Sequence, residues 1–403
     1  MTLLIVAMSD SIHTARWLSQ FAGTGWDIHL FPSMDDGRVH RDIRDVTVHH
    51  SVYGAGNSRQ ASVRIRGIPV YFPAVAAFSR RLLKSRFPRF RENQLARIIM
   101  TLRPDIVHSL EIQHAGYLAL AAKRLCQEAF PPWIVTNWGS DISLFGRLAN
   151  HRERIKEVLA RADFYSCECE RDVCLARAFG FSGEFLPVLP NSGGIDISLC
   201  EGLRQPGPVS TRRVVMLKGY QTWSGRALVA LRSLARCADQ LAGYTIAIYK
   251  ATPDVELAAE LFQEETGIPT EIIPVDSSHR DLLAWHGRAR ISIGLGISDG
   301  ISTSLLEALT MGAFPVQSWA SCADEWIEDG VNGLLVPPED PEIVEKAIRK
   351  ALADDALVDR AAEQNDQLAR EQLDYPLIRD RALSNYCTVM ERRLTTKTHN
   401  DCG

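Results

Sequence analysis

The stretch 298–316, with the sequence SDGISTSLLEALTMGAFPV, decides how the second half of this 403-residue chain folds. The apolar run 291–295 directly before it has the length and composition of a strand buried in a parallel sheet. The glycine-bearing turn 296–300 follows, and apolar residues then recur at helical spacing until Gly312 and Pro315 end the helix. The pattern predicts a strand, a polar loop and a helix in succession.

The beginning of this helix is predicted to bind an anion, because its first backbone amides and the positive end of its dipole suit a phosphate or diphosphate. Asp299 in the loop and Glu307 in the second turn frame the site, and carboxylates accept hydrogen bonds from sugar hydroxyls. These parts together are what a nucleotide-sugar needs. The residues predicted to bind the donor through this loop and helix are Gly300, Ser302, Thr303, Ser304 and Leu305.

A structural alternative stays open for the same residues. Ser304 and Glu307 have the spacing of a capping box, in which the glutamate satisfies amides of its own helix.

Composition sets the broad class. The length predicts two domains, and 46% hydrophobic with 23% charged residues is typical of a globular protein. A net charge of -4 provides no overall attraction to nucleic acid. The start of the chain predicts a buried strand rather than a secretory signal, and the nine cysteines therefore indicate a reducing cytoplasm. Cys167, Cys169 and Cys174 lack the second pair of a usual zinc site, so buried free thiols and no metal are predicted.

The first 31 residues predict a strand, a loop, a helix and a second strand, which is the opening of a doubly wound sheet. Asp10 and His13 lie in the loop where ligands of such sheets collect, so both are candidates for the acceptor side. The loop has no G-x-G-x-x-G fingerprint, which disfavours a dinucleotide cofactor.

Residues 78–97 combine cations with apolar side chains. The cations are Arg80, Arg81, Lys84, Arg86, Arg89 and Arg91, and they alternate with phenylalanines and leucines. The mixture suits a membrane surface with anionic headgroups, and a solvated helix face is the alternative. A peripheral position on the inner face of the membrane is therefore an open prediction.

The stretch 298–316 resembles the donor-binding signature E-G-F-G-x-P-x-L-E-A-M-A-x-G-x-P-V of family-four retaining glycosyltransferases with the GT-B fold. Glu307, Gly312 and Pro315 match that signature, and Asp299 stands where the family has its first glutamate. Residues 323–336 also resemble the family's E-x-I-x-D-G-x-N-G-x-L-V. The resemblance implies metal-independent transfer of a sugar, with retention, from a UDP- or GDP-sugar and without a cofactor.

The run R-P-D-I-V-H that ends at His108 resembles the family's R-P-D-V-V-H-x-H, whose loop holds a histidine beside the reacting sugar. Leu110 stands at the second histidine position, and His114 lies further along the loop. The resemblance implies His114, then Glu111, as catalytic residues. His108 is a third candidate, and a hydrogen-bonded position in the core is the alternative for it.

Three further sites follow from the resemblance. Asp141 lies in a segment similar to the family's H-G-S-D, and it either caps a helix or contacts the acceptor or donor. Lys218, beside Gly219, and Arg226 lie where the family has the cations that neutralise the diphosphate. Lys218 and Asp299 are accordingly predicted to act in catalysis, and Gly219 and Arg226 in donor binding.

The predicted fold is α/β GT-B, with two Rossmann-like domains facing across a cleft. Residues 1–197 form the acceptor-side domain, 198–212 a linker, 213–375 the donor domain, 376–394 a helix that returns to the first domain, and 395–403 a tail. The expected acceptor is a glycan, a lipid-linked molecule or a small molecule. A sugar-nucleotide-binding subunit with weak catalysis and a sugar-nucleotide epimerase of the same fold are the alternative functions.

Overall fold

This computed structural model describes the backbone of residues 1–54 and 62–400, and side chains as far as residue 394. The chain divides into two units. The first unit consists of Met1–Gly193 together with Arg379–Gly403, and the second consists of Gly194–Ile378. Among the described residues, no helix combines the length and the apolar character that crossing a membrane requires.

A parallel sheet forms the centre of the first unit. Its described strands are β1 (Thr2–Ala7), β2 (Asp27–Pro32), β3 (Val46–Gly54), β4 (Val63–Val70), β5 (Ile106–Leu110), β6 (Trp133–Thr136), β7 (Phe164–Ser166) and β8 (Glu184–Phe185). They are ordered β4-β3-β2-β1-β5-β6-β7-β8. Because the order reverses between β1 and β5, the loops that follow these two strands lie where parallel sheets bind their ligands.

Helices connect these strands. They are α1 (Ile12–Ser19), α2 (Pro73–Arg86), α3 (Phe90–Leu102), α4 (Tyr117–Cys126), α5 (Ser140–Ser143), α6 (Ala149–Arg161) and α7 (Glu170–Ala178). β1 is buried along almost its whole length, as its sequence TLLIVA predicts for an inner strand. Its residues Leu4 and Val6 pack in one core cluster with Val107 of β5 and Trp133 of β6.

The second unit contains a separate sheet. Its strands are β9 (Val214–Lys218), β10 (Thr245–Tyr249), β11 (Thr270–Ile273), β12 (Ala289–Gly294), β13 (Phe314–Ser318) and β14 (Leu334–Val336). All neighbours are parallel, and the order is β11-β10-β9-β12-β13-β14. The order reverses between β9 and β12, which is the topological switch point of a Rossmann sheet.

The helices of the second unit pack on the two faces of this sheet. They are α8 (Ile197–Leu203), α9 (Ala227–Arg236), α10 (Pro253–Thr266), α11 (His279–Arg288), α12 (Thr303–Met311), α13 (Pro341–Ala353) and α14 (Asp355–Gln372). The helix predicted from the signature stretch is α12, and Gly312 ends it with a φ of 80°, a conformation that glycine adopts without strain.

The last helix, α15 (Tyr375–Asn400), belongs to the first unit from Arg379 onward. Inside that unit the Tyr386 hydroxyl lies 2.9 Å from the indole nitrogen of Trp17 and 2.7 Å from Nδ1 of His108. Nε2 of His108 lies 2.6 Å from the Thr136 hydroxyl, and burial lowers the pKa of this histidine to about 3. His108 is therefore a neutral core residue, and the prediction of a catalytic role for it is wrong.

The unit boundary differs from the predicted one. Residues 198–212 were predicted as a linker because of their glycines and prolines, but they contain most of α8 and belong to the second unit. Arg212 is buried there and donates to the carbonyl oxygens of Ala289 and Met311. Ser210 donates to the Asp359 carboxylate. The predicted tail, 395–403, continues as helix to residue 400, and its side chains and last three residues lie outside the described part of the chain.

Six cations of residues 78–97 were predicted to form one exposed basic stretch. Two of them point inward. Arg80 donates to the carbonyl oxygen of Val52, and Arg91 lies 3.6 Å from the Asp35 carboxylate. Arg91 also donates to the carbonyl oxygen of Pro32, so both side chains are bound to the ends of strands in their own sheet.

The cysteine predictions are partly correct. Cys167 is a buried free thiol as predicted, whereas Cys174 is free but exposed, because it lies on the outer face of α7. The prediction that Cys174 is buried is wrong, and so is the prediction that Cys169 is a free thiol, because Cys169 is disulfide-bonded.

Candidate functional site

The candidate donor site lies where β9 and β12 end, at the switch point of the second sheet. Lys218 is the last residue of β9, and its ammonium nitrogen lies 3.0 Å from the hydroxyl oxygen of Ser302. Ser302 precedes the first residue of α12, so the cation lies at the positive end of that helix. Two positive elements side by side form a site that favours negative charge.

The amides at the start of α12 are oriented for a ligand. Ser302 does not use its side chain to cap the helix, and its hydroxyl instead lies 2.9 Å from that of Ser304. The amide of Leu305 donates to the Ser302 carbonyl oxygen at 2.9 Å. Leu305 therefore contributes its buried side chain rather than its amide, contrary to the prediction. Thr303 and Ser304 carry the first helical amides, which an α-helix leaves without an intrahelical acceptor.

Backbone packing explains the glycine next to Lys218. A Cβ atom on Gly219 would lie 2.7 Å from Ile248 and 2.8 Å from Ala251, so a larger residue would displace β10 or the loop that follows it. The Gly219 amide donates to the carbonyl oxygen of Tyr249, which joins the ends of β9 and β10. Gly219 thus holds the Lys218 loop in place, and it does so through packing.

Glu307 is buried, and one of its carboxylate oxygens lies 2.8 Å from Nε2 of His279. α12 begins at Thr303 without a side-chain cap, so the capping-box alternative for Glu307 is wrong. A capping box does occur one helix earlier, where Ser278 and Asp281 form one at the start of α11. That box positions His279 at the first turn of α11, facing Glu307.

Asp299 lies in the loop between β12 and α12, partly exposed. One of its carboxylate oxygens accepts from the amide of Gly300 at 3.0 Å, and the other lies 3.9 Å from the Lys218 ammonium. The carbonyl oxygen of Gly300 accepts from the amide of Cys322, which anchors the loop. Lys218, Asp299, Ser302 and the start of α12 therefore form one cluster.

Arg226 is engaged elsewhere. Its guanidinium donates to the Glu339 carboxylate at 2.8 Å and to the carbonyl oxygen of Gly225. The structure does not place this cation in the Lys218 cluster, because an acidic residue 113 positions later in the chain pairs with it. The predicted diphosphate contact is not supported for Arg226.

The first unit places its predicted residues at the other switch point, after β1 and β5. Glu111 follows β5 with a φ of 84°, a strained conformation for a residue other than glycine. Its buried carboxylate accepts from the amides of His114 and Ala115 and so closes the π-helical turn Ile112–Gly116. Burial raises the pKa of Glu111 to about 7, although the two amides favour the ionised form. Glu111 thus holds the loop, and His114 is the residue that the loop exposes.

The His114 ring is accessible to a ligand. Partial burial, followed by the charges of His151 and Lys84, lowers its pKa. A neutral imidazole accepts as well as donates a hydrogen bond, which suits contact with a sugar hydroxyl.

Asp141 connects two loops of the first unit. Its carboxylate accepts from the amides of Ile112 and Trp138, at 2.9 and 3.0 Å. Burial and the neighbouring carboxylate of Glu111 raise the pKa of Asp141 well above its ordinary value. Asp141 orders the His114 loop. The prediction that it caps the following helix is wrong, because Asp141 lies within α5, whose N-cap is Gly139 and which has no side-chain cap.

Asp10 and His13 follow β1. The ring of His13 packs edge-on against that of Trp138, with 5.8 Å between the centroids. Asp10 is exposed, and its charge adds to the effect of burial in raising the pKa of Asp36. Asp10 lies in the loop after β1 as predicted, whereas the prediction of a loop position for His13 is wrong, because His13 is the second residue of α1. Both residues lie near the switch point of the first unit.

Sequence reasoning missed His279 and Tyr249. Tyr249 ends β10, is buried, and hydrogen bonds to the Ser304 side chain. No local sequence pattern identifies either residue as part of the site. His279 and Tyr249 come close to Glu307 and Ser304 only because of the order of the strands in the folded sheet.

Solved structures share this fold over the whole chain. They include sucrose-phosphate synthase from Thermosynechococcus elongatus (TM-score 0.70, 14% identity, 97% of this chain and 100% of that one). Anabaena Alr3699/HepE in complex with UDP-glucose has a TM-score of 0.68 at 14% identity, over 96% and 100%. The α,α-trehalose 6-phosphate synthase of Burkholderia multivorans has a TM-score of 0.69 at 13% identity, over 98% of each chain. At these identities the likeness shows the fold, and the predicted GT-B fold is confirmed.

Among curated proteins, none is similar enough in sequence to count as a match. Two family models do match. Residues 2–167 match the model described as glycosyl transferase 4-like, and residues 259–368 match that of the glycosyl transferases group 1. Since the two matches fall in the two units and both describe glycosyltransferases, this chain belongs to the group 1 glycosyltransferases.

Proposed function

We propose that this enzyme transfers a sugar, with retention and without a metal ion or cofactor, from a nucleoside diphosphate sugar to a glycan, a lipid-linked or a small-molecule acceptor. The observation that carries the proposal is the position of Lys218, 3.0 Å from Ser302 at the start of α12. A departing diphosphate needs compensating positive charge, and an ammonium beside the first amides of a helix supplies it.

The donor is proposed to bind through three contacts in the second unit. The diphosphate binds Lys218 and the amides of Thr303 and Ser304, the ribose hydroxyls donate to Glu307, and the transferred sugar contacts Asp299. Glu307 already accepts from His279, which fixes the position of its carboxylate. Three solved neighbours are titled as complexes of Anabaena Alr3699/HepE with UDP or UDP-glucose, which supports UDP as the first nucleotide to test, ahead of GDP.

In the reaction, the bond from the anomeric carbon to the diphosphate oxygen breaks and a bond to the acceptor oxygen forms. The proton of the acceptor hydroxyl passes to the departing diphosphate, which leaves as the nucleoside diphosphate. Lys218 and the helix amides stabilise the negative charge that develops on the diphosphate. His114 is proposed to orient the reacting sugar, and Glu111 and Asp141 hold the loop that carries it. Asp10 and His13 are proposed to contact the acceptor.

The test is turnover with a radiolabelled donor. Purified protein with UDP-glucose and a chelator should release UDP slowly by hydrolysis, and faster with a suitable acceptor. Tight binding of UDP-sugars with no release of UDP under any acceptor would instead favour the sugar-nucleotide-binding subunit. A cytoplasmic location, peripheral to the membrane, is part of the proposal and rests on the sequence.

A further inference from the structure

A surface on the first unit exposes several large apolar side chains close together in the sequence. Val75, Phe78 and Leu82 of α2 are 47%, 66% and 57% exposed, and their spacing places them along one stripe of the helix. Of all the side chains of α2, that of Ala76 alone is buried. A helix of this kind leaves its apolar face without a partner.

The apolar exposure continues into the segment before the helix. β4 is the edge strand of its sheet and exposes Ile68 at 62%. Tyr71 and Phe72, between β4 and α2, are 81% and 61% exposed. We call these side chains and the stripe on α2 the α2 surface. It holds six of the twenty large hydrophobic residues that the described chain exposes, within fifteen positions of sequence, and such clustering marks an interaction site.

The segment that forms the α2 surface carries charges of a single sign. Five exposed cations accompany it, namely Arg64 and Arg66 on β4 and Arg81, Lys84 and Arg86 on α2. No aspartate or glutamate occurs in the sequence between Asp45 and Glu92, although the whole chain carries 49 acidic residues and a net charge of -4. The net negative charge of the whole protein repels anionic surfaces, whereas the positive charge of this segment attracts them.

We propose that the α2 surface docks this protein onto a membrane with anionic headgroups. The exposed phenylalanine and aliphatic side chains enter the boundary between headgroups and acyl chains, and the cations contact lipid phosphates. Nucleic acid fits less well, because Val75, Leu82 and Ile68 have no aromatic face on which a base can stack. The docking surface lies on the first unit, and its assignment does not depend on the donor site of the second.

The test is flotation of the full chain with vesicles of phosphatidylcholine alone and of phosphatidylcholine mixed with phosphatidylglycerol. The wild type should bind the anionic vesicles and lose binding as salt is raised. The triple variant Arg81→Glu, Lys84→Glu, Arg86→Glu should bind more than about a hundredfold more weakly, since each cation near an anionic surface contributes attraction that reversal turns into repulsion. The pair Phe78→Ser, Leu82→Ser should also bind more weakly and with the salt dependence unchanged.

A matched control reverses three exposed cations of the second unit, in the triple variant Lys346→Glu, Lys350→Glu, Arg360→Glu, and should bind vesicles as the wild type does. All variants should keep the wild-type melting temperature and its rise with UDP, which separates failure of docking from failure of the fold or of the donor site. Equal loss in the control, equal binding to neutral vesicles, or no vesicle binding would overturn the proposal. If the protein does not bind vesicles but forms a dimer, and the variant Phe78→Ser, Leu82→Ser dissociates that dimer, the surface serves self-association and the proposal is overturned. Binding to nucleic acid without binding to vesicles would overturn the proposal as well.

Discussion

The ammonium of Lys218 and the hydroxyl of Ser302 are 3.0 Å apart, although 84 residues separate them in the chain. Strand order produces the contact, because β9 and β12 are neighbours at the point where the sheet reverses its order. The last residue of one strand thereby meets the helix that follows the other. In a Rossmann sheet this is where a phosphate-bearing ligand binds, and here a cation has been added to the helix dipole.

Lys218→Gln should weaken the binding of UDP-glucose by about tenfold to a hundredfold, because a hydrogen bond to a charged group contributes about 1.5–3 kcal/mol. Isothermal titration measures the change. The control Lys346→Gln removes an exposed cation from α13 and should leave the affinity unchanged. Equal affinity in Lys218→Gln and the wild type would remove Lys218 from the diphosphate site.

Glu307→Gln should weaken donor binding by about tenfold, since a neutral amide accepts more weakly from ribose hydroxyls than a carboxylate does. The amide keeps the size of the side chain and can still pair with His279, so the protein should remain folded. The comparison that isolates the ribose contact uses UDP-glucose beside inorganic diphosphate. If the variant loses the same factor of affinity for both ligands, Glu307 acts on the helix rather than on the ribose.

Arg226→Ala should change donor affinity by less than about twofold, because its guanidinium is paired with Glu339. The pair is partly exposed, so the free energy of unfolding should change little as well. The same titration measures this variant. A loss as large as that of Lys218→Gln would show that Arg226 leaves Glu339 to bind the diphosphate, as the family resemblance implied.

Glu111→Gln should alter the pH dependence of stability. Burial raises the pKa of Glu111 from its ordinary value of 4.5 to about 7 in the folded protein, so the folded state binds the proton more tightly than the unfolded state. Ionisation therefore costs stability as the pH rises from about 4.5 to about 7, by roughly 3 kcal/mol at most. Glutamine cannot ionise and escapes that loss.

The measurement is the melting temperature of the wild type and of Glu111→Gln across that pH range. Relative to the wild type, the variant should gain stability as the pH rises, and the difference should level off above about pH 7. A difference that is constant with pH would mean that Glu111 is ionised throughout, held so by the amides of His114 and Ala115.

The sequence predicted the fold well because its signals are local. Apolar strands alternate with helical spacing along the chain, and that alternation indicates parallel sheets without any knowledge of distant contacts. The switch-point loops were identified for the same reason, since each follows directly after a recognisable strand. Lys218, Asp299 and Ser302 all belong to such loops, and they lie together in the structure.

The predictions failed where a residue is defined by a distant partner. Arg226 pairs with Glu339, Arg212 is buried against Ala289, and Arg91 pairs with Asp35. Nothing adjacent to these arginines distinguishes them from exposed cations. The partners of these arginines become their neighbours only once the sheet is assembled. Local sequence patterns therefore predict that the arginines bind a ligand or are exposed to solvent.

The central claim is that the Lys218 cluster binds a nucleoside diphosphate without a metal ion. The most direct measurement is titration of UDP into the wild type and into Lys218→Gln, each with a chelator present and again with Mg²⁺ added. We expect the wild type to bind UDP equally well under both conditions and the variant to bind it at least about tenfold more weakly under both. Binding that requires Mg²⁺, or that ignores the loss of Lys218, would contradict the claim.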